Sequence, residues 1–235
     1  IGAFNLARTF QVGQNYTKNI AIGYGAMQSQ VYGRSNIAIG EATLNSDTTS
    51  FNNIAIGYKA LFKNANKNNL VAIGDSALYN NSTGSASITQ GADNTAVGSK
   101  TLSGNSIGYG NTATGSNALT KNTTGDINVA NGAYALRGNT LGSRNTALGT
   151  SALYTNTTGS TNTAVGEGSL FQNTVGYSNV AVGKSALYNN TSRNNLVAIG
   201  DSALYNNGTG ATLIYHATFN TAIGSKALFS NTTGA

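Results

Sequence analysis

Residues 145–166 read N-T-A-L-G-T-S-A-L-Y-T-N-T-T-G-S-T-N-T-A-V-G, one 17-residue phrase followed by the start of the next. The glycine that closes Asn-Thr-Ala-Leu-Gly recurs through the chain at Gly2, Gly23, Gly40, Gly57, Gly74, Gly98, Gly115, Gly132, Gly149, Gly166, Gly183, Gly200 and Gly224. The spacing is 17 residues except for 21 after Gly2 and 24 after Gly74 and Gly200. A fixed short period is the signature of a stacked repeat architecture, in which each unit buries its apolar face only against its neighbours. Counting from the first Asn of a unit, Gly is position 5, a Leu such as Leu153 is position 9, and Asn156 is position 12.

The unit is a poor helix: Gly returns about every ten residues, Asn and Thr are abundant, and Glu and Lys are few. Positions 2 to 4, as in Ile54-Ala55-Ile56 or Val180-Ala181-Val182, alternate large-small-large and read as a short strand. Ala-Leu-(Tyr/Phe) at positions 8 to 10 reads as a second short strand, with Gly at 5 and Asn-Thr-Thr-Gly at 12 to 15 as turns. The expectation is an all-β fold, a parallel β-solenoid (β-roll) of about 13 coils that forms one repetitive domain over residues 1–235. At about 4.8 Å per coil the rod is roughly 60 Å long. Leu at 9 and Ile or Val at 4 are expected to point inward, and Ala at 3 outward as a flat surface for a second chain. A column of amides is expected at position 12: Asn64, Asn81, Asn105, Asn122, Asn139, Asn156, Asn173, Asn190, Asn207 and Asn231.

A longer period overlies the short one. The 14-residue stretch N-N-L-V-A-I-G-D-S-A-L-Y-N-N occurs identically at 68–81 and 194–207, and each copy is followed by a seven-residue insertion. The insertions lie near 82–93 and 208–219, at one phase of the coil and so on one side of the rod, where repeat proteins often bind. The first is small and polar around Ile88; the second carries Tyr215, His216 and Phe219. Exposed aromatics on an Asn/Thr surface mark that trio as the candidate receptor contact; against it stands the reading that the inserts only pack on the rod. The Tyr/Phe column at position 10 recurs with the coil and reads as structural.

Composition removes most chemistry. With a single His and no Cys, a catalytic triad and a Cys/His metal site are both poorly supplied, so neither catalytic residues nor a metal or cofactor site is assigned, and the chain is read as no enzyme. The acids are Glu41, Asp47, Asp75, Asp93, Asp126, Glu167 and Asp201, and no pair stands out as a glycosidase dyad. The net charge of +6 is spread along the rod, with only Lys59, Lys63 and Lys67 close together, which does not suit nucleic-acid binding. No apolar run approaches the roughly 20 residues of a membrane span. The chain starts and stops within repeats, which fits a segment of a longer fibre.

The phrase N-T-A-(I/V)-G-x-x-A-L, seen at Asn36–Gly40, Asn53–Gly57, Asn162–Gly166 and Asn220–Gly224, resembles the head repeats of trimeric autotransporter adhesins (YadA-like). It is also similar to tandem repeats of long phage tail fibres. The adhesin heads use a shorter unit, and Leu at 9 with the Asn-Thr-Thr-Gly turn fits the fibre version better. The resemblance covers essentially the whole chain. It implies a homotrimer outside the cell, on a virion or a bacterial surface, that attaches to a host glycan or protein receptor. A phage tail fibre is the first expectation and a bacterial adhesin head the alternative. An ice-binding solenoid, suggested by Thr123-Thr124 and Thr157-Thr158, and a fibre-borne polysaccharide depolymerase are the remoter readings.

Overall fold

The computed structural model describes residues 18–82, 87, 89–213 and 215–234. Gly2 and Ile88 lie outside the described residues. The described residues form twelve three-residue strands, one per coil: β1 Ile20–Ile22, β2 Ile37–Ile39, β3 Ile54–Ile56, β4 Val71–Ile73, β5 Thr95–Val97, β6 Thr112–Thr114, β7 Val129–Asn131, β8 Thr146–Leu148, β9 Thr163–Val165, β10 Val180–Val182, β11 Val197–Ile199 and β12 Thr221–Ile223. They form one parallel sheet in chain order. The fold is an all-β parallel solenoid, and its described part is about 53 Å long at 4.8 Å per step. Ala pairs with Ala throughout, including Ala72 with Ala96 and Ala198 with Ala222 across the two 24-residue spacings. Each insertion is therefore extruded without disturbing the sheet.

The inside and outside of the strand are reversed from the sequence expectation. The central alanines, among them Ala38, Ala55, Ala113, Ala147 and Ala164, are fully buried, while the β-branched residues at positions 2 and 4 are half-buried or exposed. A 17-residue coil is narrow. Its interior takes one large side chain per turn, Leu44, Leu61 or Leu153 at position 9, and fills the rest with Ala at 3 and 8 and Asn at 1 and 12. A β-branched residue at position 4 has no room inside, so the alternation of the strand places it outward.

The second strand is also absent among the described residues: positions 8 to 10 are turn. Position 7 and position 9 both take left-handed backbone angles, as at Ser151 (φ 56°) and Leu153 (φ 53°), which no β-ladder tolerates. Left-handed Leu is costly, by roughly 1–2 kcal/mol, and it persists here in coil after coil. The leucine side chain is fully buried and its N–H donates to the position 8 carbonyl of the next coil, Leu153 N to Ser169 O at 2.9 Å. At position 5 only glycine fits. Gly149 has φ +139°, and a Cβ there would lie 2.7 Å from the carbonyl of Gly166.

Two columns of buried carboxamides run along the axis. At position 12, Asn139 Nδ2 donates to Asn122 Oδ1 at 2.8 Å and to the Gly142 carbonyl at 2.9 Å, and Asn156 Nδ2 donates in turn to Asn139 Oδ1 at 2.7 Å. The same links join Asn64, Asn81, Asn105 and Asn122, then Asn156, Asn173 and Asn190, and finally Asn207 with Asn231. At position 1, Asn145 N–H donates to Asn128 Oδ1 of the preceding unit at 2.9 Å, and its Nδ2 reaches the Gly159 carbonyl at position 15 of its own unit at 2.8 Å. This second column was not legible as a ladder, because the Asn also reads as an ordinary turn residue before a strand. Leu70 and Leu196 interrupt it, and their backbone N–H groups still bond to Asn53 and Asn179.

One carboxyl group stands in the amide column. Asp47 occupies position 12 and is buried; it accepts from Asn64 Nδ2 at 3.1 Å, from the Ser50 N–H at 3.2 Å and from the Ser50 hydroxyl. Burial pushes its pKa above the ordinary carboxylate value, more than its hydrogen bonds lower it. Gln30, at the same position one coil back, leaves Oε1 buried without a hydrogen-bond partner. The folded chain thus holds the proton to higher pH than the unfolded chain. Stability is fullest below about pH 4 and falls as pH rises through the raised folded value. Asp47→Asn should therefore raise the melting temperature, with a larger gain at pH 7.5 than at pH 4. Asn139→Ala, which strands both neighbouring amides, should cost about 2–4 kcal/mol at either pH. Denaturant melts of the two variants at both pH values check these outcomes.

Candidate functional site

The decorated side of the rod is built around two equivalent cations. Lys67 and Arg193 lie 126 residues apart in sequence, both at position 15, in place of the usual Gly. Lys67 is buried, and its Nζ donates to the Ser87 carbonyl of the first insertion at 2.5 Å. Burial pulls its pKa below the ordinary lysine value. Arg193 Nη1 donates to the Leu213 carbonyl at 3.0 Å and Nη2 to the Ala211 carbonyl at 2.6 Å. Ser87 and Leu213 are themselves 126 residues apart, so the same coil position clamps the same point of each insertion. Gly208 (φ +78°) lets this happen: a Cβ there would meet Arg193 Cγ at 2.9 Å. The clamp was visible as a basic residue at one phase of the long repeat, and reading the lysines only as scattered charge missed it.

Those contacts also dissolve the expected lysine cluster. Lys59 Nζ sits over the Tyr58 ring at 4.8 Å and the Phe62 ring at 5.7 Å, Lys63 Nζ lies 5.7 Å from the Tyr79 ring centre, and Lys67 turns to the insertion. The three ammonium groups serve three different partners.

In the second insertion Tyr215 and His216 touch edge to face, with centroids 5.2 Å apart and planes at 86°. Tyr215 is 63% exposed, and the half-buried His216 keeps Nδ1 buried without a hydrogen-bond partner. Phe219 is 73% exposed and stands at position 17 with φ 59°; among the described residues no ring contact joins it to the other two. The local fold is fixed by Thr218 Oγ1 donating to the Tyr215 carbonyl at 2.9 Å and Asn207 Nδ2 donating to the Ala217 carbonyl at 2.8 Å. The column amide Asn207 thus anchors the insertion while Ala217 and Thr218 are buried against the rod. The arrangement presents two apolar rings to solvent on a short, clamped platform.

The rings at position 10 form a stack on the rod. Tyr154, Phe171, Tyr188, Tyr205 and Phe229 lie 4.9–5.1 Å apart with planes within 13° of parallel, and Phe62 and Tyr79 form a separate pair at 5.2 Å. Their spacing is the coil rise itself, so the stack is a consequence of the repeat.

Among the described residues no group of three His, Cys, Asp or Glu side chains is placed to hold a metal ion. Asp75, Glu167 and Asp201 are exposed at position 6, and Glu167 meets Lys184 across one coil at 3.7 Å on the open surface. The position 13 threonines spend their hydroxyls within the rod: Thr123 Oγ1 donates to the Thr140 carbonyl at 3.0 Å and Thr157 Oγ1 to the Thr174 carbonyl at 2.9 Å. The chain matches no protein-family model and no curated protein sequence.

Removing the clamp should free the platform and spare the rod. For Arg193→Ala we expect amide hydrogen exchange across 208–219 to quicken at least about tenfold while the melting temperature moves by less than about 2 °C. A fall in melting temperature with uniform exchange along the chain would show that Arg193 holds the coil itself.

Proposed function

We propose that this chain is the rod of a homotrimeric extracellular fibre that attaches to a cell surface, most simply a phage tail fibre, with a bacterial adhesin head as the alternative. The observation that carries the reading is the outer face of the sheet. Positions 2 and 4 of all twelve strands hold Ile, Val, Leu, Thr or Asn and no charged residue. Ile223 is 70% exposed, and Ile22, Ile73, Leu148 and Ile199 are all more than a third exposed. A charge-free apolar strip running the length of a rod suits the core of a lateral interface between copies of the chain. This replaces the Ala column as the associating face.

A trimer of such rods carries three copies of each insertion on its flanks. Tyr215 and Phe219 supply a small apolar contact, too weak for firm binding once and useful in three copies through avidity. The receptor class in this reading is a host surface glycan or protein. No nucleic acid is involved, and among the described residues no helix is long and apolar enough to cross a membrane.

Light scattering should give a mass of about three times 23.9 kDa. Val165→Lys with Ile56→Lys places charge on the outer face only, so the variant should remain a folded solenoid by circular dichroism and become a monomer. A wild-type monomer, or a trimer indifferent to these lysines, contradicts the interface. A separate test concerns the platform: Tyr215→Ala in the trimer should lower binding to host cells at least tenfold with the mass unchanged, and unaltered binding removes the platform from the receptor contact.

A further inference from the structure

The ring column at position 10 has a gap. After Phe62 and Tyr79 the next two coils carry Ser103 and Thr120, the third carries Arg137, and rings resume at Tyr154. Arg137 belongs to the far bank: its guanidinium lies 5.5 Å from the Tyr154 ring centre, and Nη1 donates to the Tyr154 hydroxyl at 2.9 Å. Tyr79 and Arg137 are three coils apart, about 14 Å along the axis, with two ring places unfilled between them. The gap is a depression of about 320 Å³ lined by Tyr79, Asn80, Lys100, Ser103 and Thr120. That is the small end of the range for ligand sites.

We infer that this gap is a sugar-binding slot, in which a pyranose ring of a surface glycan takes the place of a missing aromatic ring and stacks on Tyr79. Two independent features converge on that ligand class. The column is built to receive flat rings at the coil spacing, and Tyr79 is stacked by Phe62 on its near side and has no ring after it in the following coil. The lining is otherwise polar, and among the described residues no hydrogen bond or ion pair engages the side chains of Asn80, Lys100 or Ser103. Thr120 Oγ1 donates to the Asn117 carbonyl at 2.7 Å and keeps its lone pairs. A carboxamide, an ammonium and two hydroxyls around an aromatic face match the mixed surface of a sugar, with C–H on one side and hydroxyl groups at the edge. A purely apolar ligand would leave those groups dehydrated and unpaired. The slot spans the coil that carries the first insertion and the two coils after it, away from Tyr215, so it is a second contact on each rod.

The test fills the gap. Ser103→Tyr with Thr120→Phe continues the pattern already present at Tyr154 and Phe171, so the variant should fold, with a melting temperature equal to or above the wild type. Saturation-transfer NMR is run on the trimer with methyl glycosides of glucose, galactose and N-acetylglucosamine. The wild type is expected to saturate at least one of them, and the filled variant to lose at least four-fifths of that signal. Tyr79→Ala should lose it too. Absence of a signal in the wild type, or an undiminished signal in the filled variant, overturns the slot. The inference rests on the attachment reading for the source of the sugar, and the two fail separately. Glycoside binding by a rod that binds no cells contradicts attachment and leaves the slot standing; cell binding without glycoside binding does the reverse.

Discussion

The interaction on which this molecule depends is the hydrogen bond between one buried carboxamide and the next. A coil of 17 residues encloses too little volume for a conventional core, and its interior is Ala, Leu and Asn. A buried Asn is costly unless all its groups are paired. Here the pairing is supplied from above and below: Asn139 gives one proton to Asn122 and one to the Gly142 carbonyl, and accepts from Asn156. No coil satisfies itself. Register, spacing and the parallel direction of the sheet all follow, since a slip of one residue would leave a full column unpaired. The insertions bear this out, because each is extruded at a single point so that Asn105 still reaches Asn81 at 2.9 Å and Asn231 still reaches Asn207 at 2.8 Å.

The narrow interior also decides the outer surface. Only Ala fits at position 3, so its β-branched neighbours in the strand are driven outward, where they line a face with no charge on it. Gly at position 5 and the left-handed backbone at 7 and 9 bring the chain around sharply enough to close the coil in 17 residues. The rings at position 10 and the hydroxyls at position 13 then repeat at the coil rise. Features that break the pattern include the two insertions, the Ser103–Thr120 interruption in the ring column, Asp47 in the position 12 column, and Leu70 and Leu196 in the position 1 column. A regular rod is uniform along its length, so specific recognition can be encoded only at such departures.

Periodicity carried most of the architecture. The glycine spacing marked the solenoid, the Asn column at 12 and the phase of both insertions before any coordinate. It did not settle which side of Ile-Ala-Ile faces in, since alternation is symmetrical and the answer depends on the coil's internal volume. Nor did it foresee that Ala152-Leu153-Tyr154 is a turn. Leu rarely accepts a positive φ, and propensity alone favours a strand there. Of the second insertion, Tyr215 and Phe219 were legible as aromatics out of place. The Arg193 clamp was legible only by half: a basic residue stands at one phase of the long repeat, but its partners are backbone carbonyls, which leave no residue pattern.

The most direct measurement is the hydrogen exchange of the Asn side chains, followed by NMR on selectively labelled protein. If the carboxamide columns hold the coils together, the Nδ2 protons of Asn122, Asn139, Asn156 and Asn173 will exchange as slowly as the backbone amides of β7 to β10, and those of the exposed Asn66 will exchange at the free rate. Rapid exchange at the four column residues, with the strands still protected, would show that the backbone ladder alone sets the register and would contradict the account.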